Sequence, residues 1–162
     1  MKILFLFFLF TTSAFADPSE ARIQEIGARA NTLERESLFK SIEFTSDLTL
    51  PNPAAAFFLG NSQFRISINR SIFDTLSKEA QNLIGFHELG HIYLGHTEMD
   101  PRLKNRYEIE LEADVFAAFL YKRFGQKNRE FENFINFIEK QKETTPPGNV
   151  RAKIFRKIIF SD

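Results

Sequence analysis

The chain of 162 residues contains no cysteine, and this absence excludes several kinds of site. Disulfide scaffolds, zinc knuckles, iron–sulfur clusters and thiol catalysis all depend on cysteine. A bound metal ion would therefore have to use His, Asp or Glu side chains. Only three histidines are present, and they become the most informative residues of the sequence.

The sequence also lacks an excess of charge of either sign. Lysine and arginine together number 21, as do aspartate and glutamate, so the formal net charge is zero. Proteins that bind nucleic acids generally carry a basic patch or stripe, so we expect no nucleic-acid partner. Hydrophobic residues make up 43% and charged residues 26%, which is typical of a globular protein, and the length predicts one domain.

No apolar run approaches the roughly 20 residues needed to span a bilayer. The run Ile3–Phe10 follows Lys2 and precedes the small-x-small motif at residues 14–16, which is the layout of a secretory signal peptide. The alternative is an uncleaved membrane anchor. We expect residues 1–16 to be a signal peptide cleaved after Ala16. The mature protein, residues 17–162, is then expected to be a single periplasmic or secreted domain, a monomer without a stable membrane anchor.

Hydrophobic spacing predicts an α+β fold for the mature chain. Residues 18–42 have the spacing of an amphipathic helix, and residues 44–50 form a short strand. The turn residues 60–62 join two further strands, 55–59 and 64–69, into a hairpin. The rest of the chain is predicted to form helices over residues 77–95, 106–124, around 131–138 and around 150–158.

The second strand of the hairpin is predicted to lie at the edge of a small antiparallel sheet. Phe64, Ile66 and Ile68 alternate there with polar residues, a pattern that suits a half-exposed strand. We expect this edge strand to pack on the helix over residues 77–95.

That helix contains the sequence His-Glu-Leu-Gly-His at residues 87–91. Residues i and i+4 share one face of a helix, so His87 and His91 can both reach one Zn²⁺ at about 2.0–2.1 Å. Glu88 lies beside the first ligand, where its carboxylate can reach a zinc-bound water and accept its proton. A coincidental pair of surface histidines is improbable in a chain with only three. The motif predicts a zinc site.

The third ligand is not given by this motif. Leu94 and Thr97 stand where the elongated metzincin motif has Gly and His, so that form is excluded. His96 comes one residue too early and is predicted to end the helix rather than to bind metal. A carboxylate from elsewhere in the chain is the remaining option.

Two downstream segments connect the sequence to a known family. Residues 110–114 match a Glu-x-x-Ala-Asp signature, and residues 144–147 with Arg151 are similar to a Thr-His-Pro-Pro…Arg segment in which Thr145 replaces His. Together with the strand-and-loop stretch 52–77, they resemble the gluzincin zinc metallopeptidases of the HtpX and CAAX prenyl endopeptidase type. The small size makes the chain similar to the soluble minigluzincins, over about residues 50–155.

This resemblance implies a zincin-like fold and a zinc endopeptidase with one Zn²⁺ per chain. His87, His91 and Glu110 would be the ligands, and Glu88 would be the catalytic base. Asp114 would fix the orientation of a ligating imidazole. Arg151 would stabilise the developing oxyanion, or would instead form a structural ion pair.

The substrate is expected to be a peptide or an unfolded protein. It would bind as an extended strand antiparallel to the predicted edge strand that contains Phe64, Ile66 and Ile68.

Helix geometry favours Glu110 over its acidic neighbours as the third ligand. Glu110 shares a helix face with Ala113, Asp114 and Ala117, and the small alanines would let this helix approach the His87/His91 helix. Glu108 and Glu112 share another face, whose alternating charges predict exposure to solvent. Gly90, opposite the two histidines, would likewise allow close packing.

Two other functions remain open at this point. Metallopeptidases that cleave transcriptional repressors share the His-Glu-x-x-His motif, although a signal peptide conflicts with their cytosolic targets. The chain could also be a zinc- and peptide-binding quality-control module with weak or latent proteolysis, although such a module does not need Glu88. The segment 19–42 is either a scaffold helix or a removable inhibitory one.

Overall fold

The structure is a computed structural model that describes residues 18–161 except 35–36, 38, 101–104, 126–128 and 142–143. The predicted signal peptide lies outside the described residues. The elements are α1 (Glu20–Asn31), β1 (Ile42–Ser46), β2 (Ala54–Gly60), β3 (Gln63–Ile68), α2 (Arg70–Phe73), α3 (Lys78–Tyr93), a 3-10 turn (His96–Glu98), α4 (Arg106–Phe124), α5 (Arg129–Glu139) and α6 (Gly148–Ile159). The predicted α+β class is confirmed.

Side-chain caps start the long helices where the sequence predicts. The Ser77 hydroxyl accepts a hydrogen bond from the Ala80 N–H at the start of α3. Asn105 does the same for the Tyr107 N–H at the start of α4. The first helix ends at Asn31, however, well short of the predicted residue 42. The consecutive residues Asn31 and Thr32 favour a helix end over a helix interior.

The sheet differs from the prediction in both topology and strand order. Strands β2 and β3 form the predicted antiparallel hairpin, but β1 pairs with β3 in parallel, from Ile42 opposite Phe64 to Ser46 opposite Ile68. The order is β1-β3-β2, so the sheet is mixed rather than antiparallel. Strand β3 is therefore the central strand.

The prediction that Phe64, Ile66 and Ile68 lie on an edge strand is wrong. Alternation of apolar and polar residues reports which face of a sheet is buried, and Ile66 is indeed only 2% exposed. Whether a strand is central or at the edge depends on which strands are hydrogen-bonded to its backbone within the plane of the sheet. Alternation of side chains above and below that plane carries no information about these neighbours. The polar side chain of Arg65 forms an ion pair with Glu43 of β1, at 3.0 Å.

Helix α4 runs through the centre of the core. Its residues Leu111, Val115, Phe116 and Leu120 are fully buried, and α1, α3 and α6 pack around it. From Ala113 to Tyr121 it has no polar face, which is typical of a helix buried on all sides.

Helix α1 belongs to the same core. Ile23, Ile26 and Ala30 are buried, and a Cβ atom on Gly27 would lie 2.5 Å from the Phe119 ring. This packing favours the scaffold interpretation of α1 over that of a removable inhibitory segment. Among the described helices, none is both long and apolar enough to cross a membrane.

Candidate metal centre

Three side chains from two helices converge on one point. His87 and His91 lie one turn apart on α3, and Glu110 approaches them from α4. The two Nε2 atoms are 3.1 Å apart, and Glu110 Oε2 lies 3.2 Å from His87 Nε2 and 3.8 Å from His91 Nε2. These three residues form a group that could hold a metal ion.

The spacing of the three atoms agrees with the geometry of a tetrahedral ion. An ion at about 2.0–2.1 Å from each ligand keeps its ligand atoms about 3.3–3.4 Å apart. The measured separations of 3.1, 3.2 and 3.8 Å lie on both sides of that distance. Glu108, the neighbouring acidic residue on α4, is exposed and lies outside this group.

The electrostatics of the cluster favour positive charge. Burial lowers the pKa of the His87 imidazole, but hydrogen bonds with Asp114 and Glu110 outweigh burial and raise its pKa to about 10. Burial raises the pKa of Glu110, but its hydrogen bond with His87 and the nearby His91 hold that pKa well below its usual range. The carboxylates thus favour positive charge at this point of the cluster, whether a proton or a bound cation supplies it.

Asp114 orients His87 from the side opposite the three converging atoms. His87 donates through Nδ1–H to Asp114 Oδ1 at 2.9 Å, which leaves Nε2 turned toward Glu110. Asp114 is 0% exposed, and Arg151 of α6 donates to its two oxygens at 2.7 Å each. Burial raises the pKa of Asp114, but Arg151 and His87 outweigh burial and lower it, so the carboxyl group is ionised. Asp114 thus lies where its predicted role requires.

Arg151 was predicted either to stabilise an oxyanion or to form an ion pair. The structure contains the ion pair, since two guanidinium N–H groups are bound to Asp114. Arg151 also lines the cavity next to His87 and Glu88. The oxyanion role stays a prediction.

Glu88 is buried beside the cluster. It is 7% exposed, and burial raises its pKa despite the neighbouring His87. Helix α3, which carries Glu88, packs against β2. Strand β2 is an edge strand of the sheet, and its residue Ala54 lines the cavity next to Glu88. The strand that borders the site is therefore β2, not β3.

A cavity of about 280 Å³ opens next to His87 and Glu88. Helices α3, α5 and α6 and the chain before β2 line it, together with Ala54 of β2 and Asp114 of α4. Its walls are mainly apolar: Leu83, Ile84, Phe134, Phe137, Ile138 and Phe155. Thr144 lines the cavity, whereas Thr145 is exposed.

The sequence analysis missed a second group of polar residues behind the cluster. Glu112 is 8% exposed, so its predicted position on a solvated face is wrong. Arg22 donates to the two Glu112 oxygens at 2.8 and 3.0 Å, and His96 Nε2 lies 3.0 Å from Glu112 Oε2. His96 follows the end of α3 as predicted, but it is buried. The available signal was the apolar character of α4, because ionisable residues on a helix buried on all sides must face polar partners.

Comparisons with protein-family models, curated proteins and solved structures give no match for this chain.

Proposed function

We propose that the protein is an exported zinc-dependent endopeptidase with a zincin-like fold. The observation that carries the proposal is the convergence of His87 Nε2, His91 Nε2 and Glu110 Oε2 within 3.8 Å of one another. Two imidazoles and one carboxylate are a donor set of catalytic zinc sites, in which a fourth position stays open. The absence of cysteine removes the common structural zinc sites, which favours a catalytic role.

The chain's own residues supply the acid–base chemistry. A zinc ion bound there would lower the pKa of a water molecule toward about 7 and polarise a carbonyl group. Glu88 lines the cavity next to His87, so its carboxylate can accept a proton from an attacking water and return it to the leaving amine. Asp114 and Arg151 hold His87 in the orientation that directs Nε2 at the ion.

The corrected sheet topology changes the proposed path of the substrate. An extended peptide would add to the outer edge of β2, since Ala54 of this strand lines the cavity next to Glu88. The apolar cavity at His87 would then take one side chain next to the cleaved bond. We therefore propose peptides or unfolded proteins with a large apolar residue at that position as substrates.

The test uses the protein of residues 17–162. We expect near-stoichiometric zinc by elemental analysis and hydrolysis of casein or fluorogenic peptides that a chelator abolishes. Glu88→Gln should keep its zinc and lose activity by several orders of magnitude, because Glu88 moves protons and does not coordinate. Glu108→Gln, an exposed acid on α4, is the matched control and should behave as the wild type.

Two outcomes would contradict the proposal. Loss of zinc in Glu88→Gln, or activity within tenfold of the wild type, would remove Glu88 from the catalytic role. A wild-type protein that holds zinc but hydrolyses no peptide would favour the alternative of a zinc- and peptide-binding quality-control module.

A further inference from the structure

We infer that His96 is a positioning residue for the metal centre, which links the ligand His91 through Glu112 to Arg22 of helix α1. The inference rests on the metal site of the proposed function, but not on peptide hydrolysis. Each ring nitrogen of His91 has a histidine nitrogen as its neighbour. Its Nε2 faces His87 Nε2 at 3.1 Å, and its Nδ1 lies 3.3 Å from Nδ1 of His96.

The directions of the hydrogen bonds follow from the ligand role. A neutral imidazole that binds an ion through Nε2 carries its proton on Nδ1. His91 Nδ1–H therefore donates, and His96 Nδ1 accepts. His96 then carries its own proton on Nε2, which lies 3.0 Å from Glu112 Oε2.

Glu112 completes the series as an acceptor. It receives the His96 N–H and two N–H groups of Arg22, at 2.8 and 3.0 Å. The His96 side chain is 1% exposed and that of Glu112 is 10% exposed, so water does not readily replace these partners. A buried polar network of this kind is costly to break at any one member, since the remaining groups lose their partners.

Each of the two ligand histidines is thus oriented by a carboxylate, directly for His87 and through His96 for His91. His87 donates directly to Asp114, which Arg151 neutralises. Asp114 follows Glu110 by one helical turn and shares its face, so it reaches a ligand directly. Glu112 lies about 200° around the helix from Glu110 and does not. His96 bridges that gap for His91.

The series also connects the N-terminal helix to the site. Arg22 and Glu112 are 90 residues apart in sequence. Helix α1 therefore acts on the metal centre through one guanidinium group, in addition to its packing on α4.

The experiment measures metal binding by the protein of residues 17–162. His96→Phe keeps the aromatic bulk and removes both nitrogens. We expect zinc affinity, measured by competition with a chromophoric chelator, to fall by about 10–100-fold. The visible absorption spectrum of the Co²⁺-loaded protein should change, because the orientation of one ligand changes.

Two further variants separate positioning from packing. His96→Asn places an amide oxygen near the position of Nδ1, so it should recover part of the affinity and of the cobalt spectrum. Tyr93→Phe is the control. Tyr93 is on the last turn of α3, and the substitution removes a hydroxyl that donates to the Ser37 carbonyl at 3.3 Å. It should bind zinc and cobalt as the wild type does. If His96→Phe does not fold, Arg22→Gln decides, with an expected loss of several-fold in zinc affinity.

Wild-type affinity and an unchanged cobalt spectrum in His96→Phe, or in Arg22→Gln where the first variant does not fold, would overturn the inference. So would equal losses in His96→Phe, His96→Asn and Tyr93→Phe. A wild-type protein that binds zinc without hydrolysing peptides would refute the proposed endopeptidase and leave the inference standing. A wild-type protein that binds neither metal would refute both.

Discussion

Gly90 packs directly against the backbone of Ala113, where a Cβ atom on the glycine would lie 3.0 Å from both the Cα and the carbonyl oxygen of Ala113. Helices α3 and α4 therefore approach each other more closely than a side chain at this position allows. The three ligand atoms come within 3.8 Å of one another because of this approach. The helix approach predicted from the small residues of α4 is confirmed, whereas Gly90 contacts this same helix rather than an element on the side opposite the histidines.

Gly90→Ala is expected to weaken both the fold and the metal site. The added methyl group must push α4 away, which costs about 1–3 kcal/mol of unfolding free energy. The displacement also moves Glu110 relative to the histidines. Thermal unfolding and zinc titration measure the two effects.

Gly85 provides the control for this substitution. It lies on the same helix, and a Cβ atom there would meet nothing within 4 Å. Gly85→Ala should be neutral or stabilise the protein by about 0.4–1 kcal/mol, with unchanged zinc affinity. Equal destabilisation by the two alanines would show that helix approach at Gly90 is not the cause.

Glu110→Ala should lose both zinc and activity. The carboxylate is one of the three converging groups, and its removal leaves only two protein ligands. Glu108→Ala, two residues earlier on the exposed side of α4, should bind zinc as the wild type does. Elemental analysis after dialysis against a weak chelator compares the two variants. Zinc retained by Glu110→Ala and lost by Glu108→Ala would refute the assignment of the third ligand.

Asp114→Ala should weaken zinc binding by about 10–100-fold, because His87 loses the acceptor that fixes its orientation. The metal should still bind, since His87, His91 and Glu110 remain. Competition with a chelator measures the affinity. An unchanged dissociation constant would mean that His87 is oriented by packing alone.

Arg151→Gln should destabilise the fold by on the order of 3 kcal/mol, since it leaves Asp114 buried without its cationic partner. If Arg151 acts only through this ion pair, the activity per bound zinc ion should change little. Denaturant unfolding and the catalytic rate at saturating zinc separate these effects. A loss of rate well beyond the loss of zinc would support the predicted oxyanion role instead.

Zinc should raise the melting temperature of the wild-type protein. A ligand at about 100 times its dissociation constant adds about 2.7 kcal/mol, which corresponds to about 5–10 °C for a domain of this size. A chelator should reverse the shift. Glu110→Ala should show little response to zinc, and a full response in that variant would place the ion elsewhere.

The sequence determined the features that depend on neighbours along one element. The spacing of His87 and His91 puts them on one helix face whatever surrounds the helix. The register of α4 puts Glu110 and Asp114 on one face by the same rule, and Ser77 starts α3 through a hydrogen bond within its first turn.

Only the tertiary structure decided the contacts between distant segments. Strand β1 pairs with the edge of β3 that β2 leaves open, so β3 becomes the central strand. Strand order depends on which backbone groups meet in three dimensions. Glu112 is buried because Arg22 of α1 and His96 of the chain after α3 pack against it and form hydrogen bonds with its carboxylate. Periodicity reports only that a residue faces a core or the solvent, whereas the identity of a partner 90 residues away depends on how the helices pack.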